Sequence, residues 1–170
     1  NNKDIFAIRK ETEFFTFLNN KKTKDYYVDN LIEYKKLFKK FNNQKYALDV
    51  STTYLPSDNA INNILNLCDD PKIIICLRNP VSRAYSRYWM SAKNNYNLIN
   101  YSKKKFINYF FNHKTDIKWS NVRSRGLYSN SVNKFLKVFG EKNVLILFYD
   151  DLVKNNCDFF EKIFNFLKIK

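Results

Sequence analysis

Short continuous runs of apolar residues alternate along the chain with longer segments in which apolar residues recur every three or four positions. Strands are predicted at 45–50, 73–77 and 143–149, and the last two contain the continuous apolar runs 73–77 and 144–148. Runs of this kind are typical of strands that are covered on both faces of a parallel sheet. The segments with helical spacing lie at 25–41, 58–68, 80–92, 103–111 and 128–139, and two more helices are expected after residue 150. This alternation predicts an α/β fold with a parallel sheet flanked by helices. Residues 1–20 look irregular, and three strands make a thin sheet, so a first strand is expected to be missing from this chain.

The junction between the 73–77 run and the helix that follows has the chemistry of an anion site. Arg78 ends the run, Asn79 is a favourable N-cap, and Pro80 suits the first helical position because its missing N–H is not needed there. Arg78 is therefore expected at the carboxyl end of a parallel strand and beside a helix N-terminus, where anions and the ligands of α/β sheets bind. The same helix carries Ser82, Arg83, Ser86 and Arg87. The cluster predicts a phosphate site.

Composition indicates a globular domain and sets the arginines apart from the other positive charges. With 170 residues, of which 45% are hydrophobic and 18% aromatic, the chain is long enough for one domain with its own core. Its net charge of +14 would suit a nucleic-acid-binding module, but Lys and Asn are abundant along the whole chain. Five of the six arginines form two clusters, at Arg78, Arg83 and Arg87 and at Arg123 and Arg125. This placement favours planar donors at a site over a generic basic surface.

Few residues are available for disulfides or metal sites. Cys68, Cys76 and Cys157 are odd in number and have no metal-ligand spacing, and Cys76 is expected to be a small core residue of its strand. His113 is the only histidine and is interpreted as a surface residue, so a histidine-based metal site or triad is disfavoured. No signal peptide is recognised, and no apolar run is long enough to span a bilayer. Because the chain starts at Asn1 without an initiator methionine, it is expected to be a piece of a longer protein.

The segment 77–86 (LRNPVSRAYS) resembles the 3′-phosphate-binding motif of sulfotransferases that use 3′-phosphoadenosine 5′-phosphosulfate (PAPS), in particular the heparan sulfate sulfotransferases and their bacterial relatives. Three other segments are similar to motifs of this family and follow in the same order. Residues 9–15 (RKETEFF) resemble its Lys-Glu-x-x-Phe-Phe segment, residues 49–55 (DVSTTYL) its acidic-x-Ser/Thr-Pro-x-Tyr segment, and residues 125–128 (RGLY) its Gly-x-Tyr segment. The four segments span nearly the whole chain.

The resemblance implies a P-loop-like, three-layer α/β/α fold and a nucleotide site. The residues that it implies for binding the nucleotide are Arg78, Ser86, Arg83, Arg125, Gly126 and Tyr128. Among them, Arg78 and Ser86 would hold the 3′-phosphate. The implied donor is PAPS, and the implied product is 3′-phosphoadenosine 5′-phosphate (PAP).

The resemblance also implies roles for two residues near the start of the chain. Glu11 would be the base that takes the proton from a hydroxyl or amine acceptor, and Lys10 would lie beside the transferring group. The implied acceptor is a carbohydrate. Neither a metal ion nor a nucleic acid is expected as a partner.

The chain also departs from the family's pattern. The Lys-x-Gly-Thr-Thr-like loop that binds the 5′-phosphosulfate is not found, and neither is the later loop with glycine and lysine that closes over the nucleotide. The single domain, 1–170, is therefore expected to be truncated at both ends, and the piece alone could be inactive. Val50 and Thr52 stand where heparan sulfate enzymes often have Lys and Pro. The compartment would be the cytoplasm for a bacterial or viral protein and the Golgi lumen for a eukaryotic one.

Several residues keep a second interpretation. Tyr128 is either a nucleotide contact or a core aromatic, and Asp49 is interpreted as capping its strand or orienting a neighbour rather than as catalytic. The aromatic cluster of Phe14, Phe15 and Phe17 is expected in the core. Two other functions stay open, a P-loop nucleoside kinase or NTPase fragment and a basic nucleic-acid-binding module.

Overall fold

Parallel strands and the helices that connect them make up the computed structural model, which describes residues 2–21, 24–94, 102–112 and 124–170. The strands are β1 (Ile5–Ala7), β2 (Tyr46–Leu48), β3 (Ile73–Leu77) and β4 (Val144–Phe148). The helices are α1 (Phe14–Phe17), α2 (Leu31–Lys36), α3 (Asp58–Leu67), α4 (Pro80–Asn94), α5 (Lys103–Asn112), α6 (Tyr128–Phe139), α7 (Tyr149–Lys154) and α8 (Asn156–Leu167). Arg123 and His113 lie outside the described residues.

The strands pair in two parallel ladders. β1 pairs with β2 from Ile5 opposite Tyr46, and β3 pairs with β4 from Ile73 opposite Val144. The predicted α/β fold with parallel strands is therefore confirmed. The expectation that residues 1–20 are irregular was wrong, because this stretch contains β1 and α1. At three residues, β1 is too short to produce a hydrophobic pattern of its own, and its pairing with β2 defines it.

Side-chain caps define the starts of three predicted helices. The Asn79 carboxamide oxygen accepts from the backbone N–H groups of Val81 and Ser82, at 3.0 and 3.1 Å, so α4 begins at Pro80 as predicted. Ser57 caps α3, and Asn155 caps α8.

Two other helix starts differ from the sequence-based expectation. α2 begins at Leu31 rather than near residue 25, because the Asn30 side chain accepts from the backbone N–H of Glu33 and starts the helix there. Asp150 and Asp151 were expected to cap a helix but lie within the first turn of α7. Carboxylates in a first turn still favour a helix, because they face the positive end of its dipole.

One hydrophobic core joins the segment that follows β1 to the β3–β4 pair and to the helices α3 and α6. It contains Phe14 and Phe15 after β1, three residues of α3, one residue each of β3 and β4, and three of α6. Those from α3, the strands and α6 are Ala60, Ile61, Ile64, Ile75, Val144, Val132, Phe135 and Phe139. The prediction that the aromatic cluster lies in the core is confirmed for Phe14 and Phe15, while Phe17 is half-buried and stacks on Tyr27.

The β3 strand is covered less completely than its apolar run predicts. Ile73, Ile75 and Leu77 pack into or against the core, whereas Cys76 is exposed. The prediction that Cys76 is a core residue was therefore wrong. The physical reason is the two-residue period of a strand, which turns Cys76 away from the face that the core covers.

The α4 helix buries only part of the face predicted for it. Ala84 and Tyr88 are fully buried against Phe106 of α5. Val81 was expected on the same face but is 47% exposed. It lies in the first turn of the helix, ahead of the contact with α5. None of the described helices is both long enough and apolar enough to span a membrane.

Candidate active site

A polar or charged residue follows the end of each of the four strands. Glu11 follows β1, Asp49 follows β2, Arg78 follows β3, and Tyr149 follows β4. Within each parallel pair the two carboxyl ends lie at the same edge, and α/β folds bind ligands at such edges. We call the part of the candidate site around Glu11 and Asp49 the carboxylate end, and the part around Arg78 and Tyr149 the arginine end.

The Asp49 carboxylate is the centre of the hydrogen bonds at the carboxylate end. It accepts from the hydroxyl groups of Tyr34 at 2.9 Å and Tyr54 at 2.6 Å, and the Thr12 hydroxyl lies 3.0 and 3.1 Å from its two oxygens. Burial, together with the charge of Asp49, raises the pKa of both tyrosines well above the usual range, so both remain donors. The interpretation that Asp49 orients its neighbours is confirmed.

The segment that contains Glu11 runs beside the segment that follows β2. The backbone N–H of Glu11 donates to the Val50 carbonyl at 2.8 Å, and the Thr52 hydroxyl donates to the Glu11 carboxylate at 3.1 Å. Glu11 and Glu13 have φ angles of 59° and 54°, in the left-handed region. Two such residues cost about 1–2 kcal/mol each, and strain of this kind concentrates at functional sites.

Glu13 is a fully buried carboxyl group that the sequence-based reasoning passed over. One oxygen accepts from the backbone N–H of Thr53 at 3.2 Å and from the Thr53 hydroxyl. The other oxygen is buried and has no N–H or O–H donor among the described residues. Burial first, and then the neighbouring Glu11 carboxyl, raise the pKa of Glu13 from its ordinary 4.5 to about 7. The alternation of two glutamates in the sequence Glu-Thr-Glu before an aromatic pair could have indicated this group.

Arg78 anchors the arginine end. Its guanidinium lies over the Tyr149 ring, with 4.9 Å between the guanidinium carbon and the ring centroid. The Tyr128 hydroxyl donates to the Arg78 carbonyl at 3.0 Å. Tyr149 was not predicted from the sequence, although its place directly after the last buried strand could have indicated it. The two tyrosines hold both the backbone and the planar head of Arg78.

A cavity of about 340 Å³ opens beside this anchor. Leu55 and Pro56 line it from the segment after β2, and Arg125, Tyr128 and Ser131 line it from the start of α6. Arg125 is exposed and Tyr128 is half-buried, and Tyr128 also packs against the core. Its interpretation as a core aromatic is supported by this packing, while a contact with a nucleotide stays a prediction. Gly126, between the two, is buried.

The remaining predicted residues lie on more open surfaces. Ser86 is exposed on α4, about half a turn around the helix from the buried Ala84 and Tyr88. Arg83 of the same helix is half-buried, and Lys10 is exposed beside Glu11. No group of three or more His, Cys, Asp or Glu side chains suited to a metal ion occurs in the described part of the chain.

The structure thus places the predicted residues in two connected groups. Arg78, Arg125 and Tyr128 form one group, and Glu11 belongs to the other. The segment 52–56 joins them, because its threonines contact the glutamates and its Leu55 and Pro56 line the cavity.

Comparison with known proteins identifies the architecture. The family model described as the sulfotransferase domain matches residues 6–170. The fold resembles that of a sulfotransferase from Alicyclobacillus acidocaldarius, with a TM-score of 0.81 and 23% identity, over 98% of this chain and 72% of that one. It also resembles a sulfotransferase domain from the curacin biosynthetic pathway, with a TM-score of 0.58 and 18% identity, over 82% of this chain and 44% of that one. At these identities the two structures show a shared fold.

Protonation of Glu13 should make stability depend on pH. Because the folded state holds this proton more tightly than the unfolded state, its contribution is complete below pH 4.5 and is lost as pH rises toward about 7. The difference corresponds to about 3 kcal/mol. In urea unfolding, the free energy of unfolding of the wild-type chain should fall by about 3 kcal/mol between pH 4.5 and 8, relative to that of Glu13→Gln. The variant has no titrating group at this position. Parallel pH dependence in the two proteins would contradict the assignment.

Loss of the Asp49 carboxylate should destabilise the fold strongly. Asp49→Ala removes the acceptor from three hydroxyl groups that have little access to water, which should cost about 3 kcal/mol or more in urea unfolding. Asp58→Ala is the matched control, because its exposed carboxylate pairs with Lys134 on the surface. That change should cost less than about 1 kcal/mol. Equal losses of unfolding free energy in the two variants would contradict a stabilising role for the hydrogen bonds to Asp49.

Proposed function

Because the chain belongs to the sulfotransferase family, we propose that it takes part in transferring a sulfuryl group from PAPS to a hydroxyl or amine acceptor. The observation that carries the proposal is the anchored Arg78, at the end of a parallel strand, beside a helix N-terminus and a cavity. Family membership favours this function over the NTPase fragment and the nucleic-acid-binding module.

Arg78 is the proposed main ligand of the 3′-phosphate. A guanidinium donates to phosphate oxygens through a planar fork, and such charge-assisted hydrogen bonds are about twice as strong as neutral ones. The ring of Tyr149 and the hydroxyl of Tyr128 restrict the orientation of Arg78 before the nucleotide arrives, which lowers the entropy cost of binding. Ser86, which faces solvent on α4, would add a hydroxyl donor, and Arg83 would add positive charge.

The nucleoside part is proposed to enter the cavity beside Arg78. Arg125 and Tyr128 line this cavity from one side, and Leu55 and Pro56 add apolar surface from the other. A volume of about 340 Å³ is at the lower end of the range for small-molecule sites. Gly126, which is buried just before α6, has no side chain and would leave room for the nucleotide there.

Glu11 is the proposed base of the transfer step. The acceptor oxygen or nitrogen attacks sulfur, the bond between sulfur and the 5′-phosphate oxygen breaks, and PAP leaves with the bonding electron pair. The acceptor proton passes to the Glu11 carboxylate, which the Thr52 hydroxyl holds in place. Lys10, exposed next to Glu11, would offset negative charge on the transferring group. This step requires positioning and charge stabilisation and no redox chemistry.

A carbohydrate is the proposed acceptor class, as the resemblance to heparan sulfate enzymes suggests. The net charge of +14 would suit an acidic glycan, since it would attract a polyanion over long range.

Replacement of Arg78 should weaken nucleotide binding. Arg78→Ala is expected to reduce the affinity for PAP by about 1.5–3 kcal/mol in calorimetry, which is the scale of a lost charged hydrogen bond. The affinity for adenosine 5′-phosphate, which has no 3′-phosphate, should change much less. Lys137→Ala is the charge-matched control, because Lys137 lies in the last turn of α6, away from the cavity.

Two outcomes would contradict the nucleotide assignment. One is equal wild-type affinity for PAP and for adenosine 5′-phosphate. The other is the same loss of PAP affinity in Arg78→Ala and Lys137→Ala, which would indicate an effect of net charge alone.

Replacement of Glu11 should remove turnover and leave the nucleotide bound. Glu11→Gln keeps the shape of the side chain but cannot take the acceptor proton, so PAP release from PAPS in the presence of an acceptor should fall at least 100-fold. PAP affinity should stay within about twofold, an energy below 0.5 kcal/mol. Activity near the wild-type level in this variant would assign the base to another group.

A further inference from the structure

We infer that Tyr26, together with Lys24 and Arg9, forms the subsite that holds the acceptor, and that this subsite takes a saccharide with an anionic group. The inference rests on the proposed role of Glu11 as base and names the surface next to that base. We call residues 24–28 the tyrosine segment. The resemblance to the family's motifs assigns no role to it.

The tyrosine segment lies directly against the segment that carries Glu11. The backbone N–H of Val28 donates to the Thr12 carbonyl at 2.9 Å. The Arg9 guanidinium donates to the Tyr26 carbonyl. Because Arg9 precedes Glu11 and Thr12 follows it, these two hydrogen bonds place the tyrosine segment alongside the proposed base.

Another neighbour of Glu11 leads to the proposed nucleotide site. The Thr52 hydroxyl donates to the Glu11 carboxylate, and Leu55 and Pro56 a few residues later line the cavity beside Arg78. In an in-line transfer the attacking and leaving atoms lie on opposite sides of the transferring group. The acceptor therefore approaches from a different direction from the nucleotide. The tyrosine segment is a neighbour that does not line the cavity, so it suits the acceptor.

Tyr26 presents an aromatic ring that is both exposed and held in place. Its side chain is 52% exposed. Its ring packs nearly at right angles to that of Tyr27, with 4.8 Å between the centroids, and Tyr27 in turn stacks on Phe17 at 5.3 Å. The C–H groups of a pyranose ring pack well on the electron-rich face of an aromatic ring. A tyrosine also offers this contact area at a low cost in conformational entropy.

Positive charge lies beside this ring. The Lys24 ammonium is 2.9 Å from the Tyr26 hydroxyl and 5.2 Å from the ring centroid, so it contacts the hydroxyl end of the ring. Arg9 and Lys10 are exposed, and none of the ion pairs between described residues involves these three cations. Asp25 adds one negative charge. The surface therefore keeps a positive excess, which attracts an anionic group on a saccharide stacked on Tyr26.

A hexasaccharide of alternating glucuronic acid and N-acetylglucosamine tests the stacking residue without nucleotide or turnover. Its affinity for the chain is measured by calorimetry. Tyr26→Ala should weaken binding about tenfold, because the stacking surface is lost. Tyr26→Phe keeps the ring and should stay within about twofold of the wild type. Phe111→Ala is the matched control, because it removes another exposed aromatic ring, from α5, and should leave the affinity unchanged.

The same assay tests the charged part of the subsite. Lys24→Gln should weaken binding about threefold, the scale of an exposed ion pair, and the loss should shrink as salt is added. An uncharged hexasaccharide of N-acetylglucosamine should bind the wild-type chain about fivefold more weakly and should not respond to Lys24→Gln. Lys39→Gln, which removes an exposed charge after α2, is the charge-matched control.

The outcomes separate this inference from the proposed function. Equal losses in Tyr26→Ala and Phe111→Ala, or no binding of either saccharide to the wild-type chain, would overturn the subsite. Tighter binding of an acidic peptide that contains tyrosine, with the same loss in Tyr26→Ala, would overturn the saccharide class.

The affinity for PAP provides the independent measurement. It should stay within about twofold in Tyr26→Ala, because the tyrosine segment does not line the cavity. A wild-type chain that binds PAP and adenosine 5′-phosphate equally would overturn the nucleotide site and leave the saccharide results standing. A tenfold loss of PAP affinity in Tyr26→Ala, about 1.4 kcal/mol, would overturn the assignment of Tyr26 to the acceptor.

Discussion

The site depends on the Asp49 carboxylate, which is held by hydroxyl groups rather than by a cation. Three donors from different segments converge on it: Thr12 after β1, Tyr34 of α2, and Tyr54 after β2. Thr12 lies between Glu11 and Glu13, so this contact fixes the backbone from which both glutamates project. It acts together with the backbone hydrogen bond of Glu11 to Val50 and the threonine contacts in holding the left-handed conformations of the two glutamates.

The use of hydroxyl donors also keeps the two ends of the site electrostatically distinct. A lysine or arginine in place of the hydroxyl donors to Asp49 would put positive charge next to the glutamates and favour the ionised form of both. At the arginine end, the ring of Tyr149 and the hydroxyl of Tyr128 hold the positively charged Arg78. The segment 52–56 spans the two ends, so the proposed phosphate ligand and the proposed base are connected through a single short stretch of backbone.

The sequence predicted the parts of the fold that have strong local determinants. The capped start of α4 at Asn79 and the strand before it follow from residues adjacent in the chain. β1 and the exposure of Cys76 did not follow, because both depend on which neighbour covers a strand. The same distinction between local and long-range determinants applies to the site residues. The position of Arg78 is local, whereas its contact with Tyr149 and the burial of Glu13 depend on segments far apart in sequence.

The contacts of Thr52 show what its side chain does at a position where heparan sulfate enzymes differ. Heparan sulfate enzymes often have proline there, and proline has no hydroxyl group to donate. Thr52 donates to the Glu11 carboxylate at 3.1 Å, and the next residue, Thr53, donates to Glu13. A donor to a carboxylate favours its ionised form, whereas an adjacent carboxyl group opposes a second ionisation. Consecutive threonines therefore donate to the two glutamates, Thr52 to the half-buried Glu11 and Thr53 to the fully buried Glu13.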